Sequence, residues 1–165
     1  MRPQTKELDA LVFADETLRT SCGLVSSGTA ALTYKPGGSA STNGDAPDRA
    51  SVGSRSTDAF GFEWLIVTEP GLQEQVVAIK AAVSETTTRD PEAGHLTAAF
   101  RFDGGDHPVY LVYGFGGGTF WPFVPAGEKP NRDNERELEL KKQLERALPI
   151  EKDITRWFGL FDAPL

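Results

Sequence analysis

The stretch that decides the fold runs LTAAFRF (96–102), DGGDHP (103–108), VYLVYGF (109–115), GGG (116–118), TFWPFV (119–124). Its three longer pieces are rich in aromatic and β-branched residues, the types that suit a pleated, half-buried surface. Between them, Asp103-Gly104-Gly105-Asp106 and Gly116-Gly117-Gly118 readily supply the positive φ angles of tight hairpins. Connections this short join neighbouring strands without a crossover, so the stretch predicts an antiparallel meander. Pro122 has no N–H for a ladder, which places the last strand at an edge or ends it at Trp121.

Upstream, FGFEWLIVT (60–68) reads as a central strand closed by the turn Glu69-Pro70-Gly71. Leu72, Val76, Ile79 and Val83 then recur at helical spacing, predicting a helix over about 70–87 that the run Thr86-Thr87-Thr88 and Asp90-Pro91 end. Nearer the start, Leu8, Leu11, Val12, Leu18 and Cys22 share a helical face, giving a first helix over about 5–22 with Thr5 as cap and Gly23 as its left-handed end. Thr29 to Lys35 alternates as a strand. The segment 36–57 is Gly-, Ser- and Pro-rich, with Val52 its only aliphatic residue larger than alanine, so it reads as a flexible loop.

Downstream, Asn131 to Leu148 predicts a third helix, capped by Asn131 or Asp133, with Leu140, Leu144, Ala147 and Leu148 as its apolar stripe. Pro149 stops it, and Ile150, Ile154, Trp157, Phe158, Leu160 and Phe161 form an apolar tail expected to pack back on the body. The expectation is therefore one α+β domain over 1–165, with an antiparallel sheet of about five strands and helices largely on one face. Its order is α-β-β-α-β-β-β-α, and that order resembles type III secretion chaperones by analogy alone.

Composition narrows the functional classes. A formal charge of −7 disfavours nucleic acid, whose phosphates need a surplus of Lys and Arg. No apolar run is long enough to span a bilayer and no secretory signal is visible in residues 1–16, so a cytoplasmic chain without membrane insertion is expected. The lone Cys22 has no partner for an internal disulfide, and its place in the last turn of a helix suits a buried structural thiol better than a nucleophile.

Catalytic or metal-binding sets are hard to assemble. His95 and His107 sit beside turns with no second His or Cys at ligand spacing. The acidic residues of the third helix alternate with basic ones, as in Glu137 and Lys141 at i,i+4, which suits a solvated or partner-binding face. Gly114-Phe115-Gly116-Gly117-Gly118-Thr119 resembles a phosphate loop only loosely, lacking the Lys-Ser/Thr ending and leading into a strand; a hairpin turn is the plainer reading, and a small-ligand or nucleotide-phosphate sensor the alternative. No cofactor, no metal and no enzymatic activity are expected.

The aromatic clusters Phe120-Trp121-Pro122-Phe123 and Trp157-Phe158 have two readings, a covering for the sheet or a docking patch. In the second, Phe120, Trp121, Phe123, Arg132, Asn134, Arg136, Trp157 and Phe158 are the candidate partner-binding residues. Tyr110-Leu111-Val112-Tyr113, the run GTFWPF (118–123), Arg132-Asp133-Asn134 before ELEL (137–140), Leu148-Pro149-Ile150-Glu151, Arg156-Trp157-Phe158 and the ending Asp162-Ala163-Pro164-Leu165 together resemble the PspAB family. These are the PspA-associated proteins of prokaryotic envelope-stress systems. The similarity is densest over 108–165 and is lost in 36–57. It implies an accessory role beside PspA, the membrane-remodelling coiled-coil protein of the phage-shock response, with PspA or a companion bound through the edge strand and the third helix. It carries no catalytic or binding residues across.

Overall fold

A computed structural model describes residues 3–37 and 52–165. Their strands are β1 (Val25–Lys35), β2 (Val52–Thr57), β3 (Glu63–Thr68), β4 (Gly94–Asp103), β5 (Val109–Gly114) and β6 (Thr119–Phe123). The helices are α1 (Asp9–Phe13), α2 (Asp15–Thr20), α3 (Leu72–Arg89) and α4 (Asn134–Leu144), with 3₁₀ turns at Lys6–Leu8 and Ile154–Arg156. The strands form one sheet in the order β2-β3-β1-β4-β5-β6, every neighbouring pair antiparallel.

The meander stands as the sequence predicts. The β4–β5 turn needs Gly104 for a packing reason as well as for its φ of +143°: a Cβ there would lie 2.0 Å from the Gly23 carbonyl oxygen. Gly23 itself, at φ +67°, turns the chain out of the first helical run. That run is broken at Ala14 into α1 and α2.

Alternation gives the sheet two unlike faces. On one, the transverse row Leu65, Leu32, Ala98, Tyr113 and Phe120 joins Val76, Ile79 and Val83 of α3 and Leu8, Leu11 and Leu18 of the first helical run in the main core. On the other, the row Trp64, Thr33, Thr97, Gly114 and Thr119 is nearly all small or polar, and among the described residues no α-helix packs on it. The C-terminal segment covers part of this second face. Phe161 packs edge-on to Phe123 at 4.8 Å, and the Leu165 carbonyl accepts from Arg101 Nη1 at 2.9 Å and Tyr110 Oη at 3.3 Å.

Four expectations need correcting. The sheet has six strands, because residues 52–57 pair with β3 instead of belonging to a loop; each backbone bond to an existing edge offsets the low apolar content there. The remainder of that expected loop, 38–51, lies outside the described residues. The second helix continues through the threonines to Arg89: Thr86 is buried against the core, and Thr87 and Thr88 turn their hydroxyls back to the Val83 and Ser84 carbonyls within the helix. The third helix is shorter, Asn134–Leu144, with Asp133 as its cap accepting from Arg136 N at 2.9 Å.

The fourth correction concerns the openness of β6, which does end the sheet, as Pro122 predicts, but is bridged on its outer side at Phe120. Phe120 N donates to Pro149 O and Phe120 O accepts from Glu151 N, both at 2.8 Å, so the strand's outer side is already paired with the chain that leaves α4.

Candidate functional site

The small-residue row on the helix-free face floors a cleft of about 590 Å³, a size that suits a ligand or a few partner side chains. Thr33, Thr97, Gly114 and Thr119 sit side by side across four strands and rise little above the sheet. Aromatic walls stand on both sides: Phe60, Phe62 and Trp64 on one, Trp121, Phe158 and Phe161 on the other. Phe60 and Phe158 are 68% and 64% exposed, so two large rings lie open to solvent at the cleft. Exposed rings on one concave surface are the kind of patch that marks binding.

Local chemistry fixes each wall. Asp58 accepts from the Phe60 and Phe62 amides through Oδ1 at 2.9 and 3.0 Å, and from the Trp64 indole through Oδ2 at 3.0 Å. Gly61, at φ +87°, completes that turn. Burial alone would raise the Asp58 carboxyl, but the bonds from Trp64, Phe62 and Phe60, with Lys35 nearby, hold it below its ordinary value. Lys35 Nζ donates to the Phe60 carbonyl at 2.6 Å and lies 5.3 Å from the centre of the Phe62 ring, a cation against an aromatic face.

His95 reaches the cleft through a bulge. β1 and β4 slip by one residue between Thr33 and Lys35, and His95 takes the left-handed φ of +54° to absorb it. Its ring then lies 6.1 Å from Phe62. On the far wall, Trp121 Nε1 donates to the Phe158 carbonyl at 3.0 Å and the two rings meet edge to face at 6.4 Å. Gly114 leaves room for this arrangement, since a Cβ there would press 3.1 Å from the Trp121 ring. Glu151 places Oε1 3.5 Å from Thr119 Oγ1 and takes the Asp153 amide on Oε2 at 3.1 Å.

The eight residues singled out from the sequence separate into groups. Trp121 and Phe158 meet in the cleft wall. Phe120 points to the opposite face and is fully buried against Tyr113 at 4.7 Å. Phe123, Arg132, Asn134 and Trp157 gather at the start of α4 around the buried Glu137. There Arg132 Nε and Val124 N both reach Glu137 Oε2 at 2.9 Å, Asn134 Nδ2 reaches Oε1 at 3.0 Å, Arg132 Nη1 reaches the Trp157 carbonyl at 2.8 Å, and the guanidinium lies over Phe123. The expected Glu137–Lys141 pair therefore does not form; Lys141 meets Glu145 instead. Arg136 ties α4 to the Cys22 carbonyl at 2.8 Å.

Of the other candidates, Cys22 is buried, and that burial raises its thiol pKa despite the nearby Arg136. His107 lies in the β4–β5 turn. The glycine turn is a hairpin, with Gly118 N donating to Gly114 O at 2.9 Å, and Gly116 and Gly117 border the cleft. Among the described residues no three His, Cys, Asp or Glu side chains cluster as a metal site, and no helix is long and apolar enough to cross a membrane. Sequence reasoning missed Thr33, Asp58, Phe60, Phe62, Trp64 and Thr97 as site residues: Thr33, Trp64 and Thr97 share a strand phase that only the register reveals, and Asp58, Phe60 and Phe62 come from the turn before β3.

Compared with known proteins, residues 1–165 match the family model described as PspA associated protein B. No curated protein and no solved structure matches.

Proposed function

Because the chain belongs over its whole length to the PspA associated protein B family, we propose that it is a non-catalytic accessory protein of the envelope-stress response that binds PspA or a companion of PspA. The observation that carries this reading is the family match from end to end, and the open aromatic cleft supports it as a surface on which such binding would take place. The outer side of β6 is occupied by residues 149–151 and Phe120 and Phe123 are in the core, so the docking surface moves from that edge to the helix-free face. A protein-binding role also suits the cleft's polar groups. Both oxygens of Asp58 and of Glu151 are engaged in fixing local turns or neighbouring side chains, a positioning role and not that of an acid–base pair.

Co-purification from cells expressing tagged protein and PspA, at physiological salt, tests the reading. PspA is expected in the eluate with wild type and reduced or absent with Phe60→Ala/Phe158→Ala. Its absence with wild type, under conditions where the protein is folded, would contradict the proposal.

The nucleotide-phosphate alternative draws on Gly116, Gly117 and Thr119 lining the cleft. Against it, the carboxylate of Glu151 sits beside Thr119, where a phosphate would be repelled. A nucleotide panel that raises the melting temperature of wild type but not of Thr119→Val would favour it.

A further inference from the structure

The cleft's electrostatics narrow what can enter it. Among the described residues, three carboxylates, Asp58, Glu151 and Asp162, border it with the guanidinium of Arg156, and the Lys35 ammonium sits in one wall beside Asp58. Asp162 is paired with Lys129, whereas Asp58 and Glu151 have no Lys or Arg within ion-pair distance among the described residues. The rings add to this: their faces carry negative potential, and Lys35 already rests against Phe62 in one wall. Over the whole chain the charge is −7, which steers cationic partners inward and anionic ones away.

Resting on the reading that the protein docks on a PspA-type partner, we infer that the cleft receives an apolar segment of that partner bearing Lys or Arg. The apolar side chains seat between Phe60 and Phe158 over the threonine floor, and the cation lies against Glu151 and the ring faces. The floor of Thr33, Thr97 and Gly114 gives depth, since larger residues in that row would fill the space the segment occupies. A phosphate-bearing or acidic segment would meet the Glu151 carboxylate and the negative ring faces, a like-charge contact that disfavours it.

The test uses the full chain and two synthetic amphipathic peptides of equal length, one of leucine and lysine, the other of leucine and glutamate. Binding is read from indole fluorescence, because Trp64 and Trp121 both line the cleft. The leucine–lysine peptide is expected to bind wild type and to bind Phe158→Ala and Glu151→Gln about tenfold more weakly. Its affinity should fall as salt rises from about 0.05 to about 0.5 M, and Glu135→Gln, on the exposed side of α4, should leave it unchanged. Equal binding of the leucine–glutamate peptide, or equal affinity across all variants, would overturn the inference.

The same variants in the PspA co-purification separate the two claims. Capture of PspA by wild type, Phe158→Ala and Glu151→Gln alike would sink the cleft chemistry and leave the partner assignment standing. Failure of wild type to capture PspA, with the peptide pattern intact, would do the reverse.

Discussion

Glu137 is held by donors from three directions, the Val124 amide, Arg132 and Asn134, and is almost fully buried. A buried carboxylate of this kind is costly to disturb, because removing its charge leaves the mostly buried Arg132 without its ion-pair partner. Glu137→Gln should lower stability by about 3 kcal/mol in urea unfolding; an unchanged midpoint would mean the network contributes nothing. Asp58 gives a pH signature. Its folded pKa lies below the ordinary 3.8, so its contribution is complete above the unfolded value and disappears as pH falls through the folded one. The melting-temperature gap between wild type and Asp58→Asn should therefore be widest near neutral pH and close in acid; a gap that widens in acid would contradict the geometry. Cys22, buried and with its thiol pKa raised, should react with iodoacetamide more slowly by about tenfold or more in the native state than in denaturant. None of these partnerships was legible beforehand except the buried cysteine. Glu137 sits in a run of alternating charges that reads as a solvated helix face, and only the return of residues 124–132 beside α4 turns it inward.

At the level of elements, the strands of the meander announced themselves, because aromatic and β-branched runs separated by glycine turns leave little alternative. Strand β2 did not. Ser54, Arg55, Ser56 and Thr57 have no apolar alternation, and their order comes from backbone pairing with β3, which a composition argument cannot see. The end of α3 was misplaced for a related reason: threonines weaken a helix in isolation, yet Thr86 is buried in this fold and its neighbours bond back to the preceding turn. Thr88→Ala, at an exposed position, should thus raise stability slightly, by about 0.5 kcal/mol, as ordinary helix preference reasserts itself. A loss of more than that would show that the Thr88 hydroxyl bond to Ser84 matters to the helix end.

For the molecule as a whole, the sheet face without helices is shared between the C-terminal segment and the cleft. Phe161 holds that segment down on Phe123, and Phe161→Ala should cost about 2 kcal/mol while increasing binding of a hydrophobic dye; a stable, dye-silent variant would mean the segment is held elsewhere. The aromatic residues of this region were visible in the sequence, but their division between core and cleft depends on strand phase, just as the place of the exposed His95 beside the cleft depends on a bulge. The central claim is that a PspA-type partner docks on the helix-free face, between the wall at Phe60–Trp64 and the wall at Arg156–Asp162. Hydrogen–deuterium exchange with and without saturating PspA tests it most directly. Slowed exchange at residues 58–64 and 156–162, with α3 unchanged, is the predicted footprint. Slowed exchange over α1–α3 or the exposed side of α4, with those two walls unaffected, would contradict it.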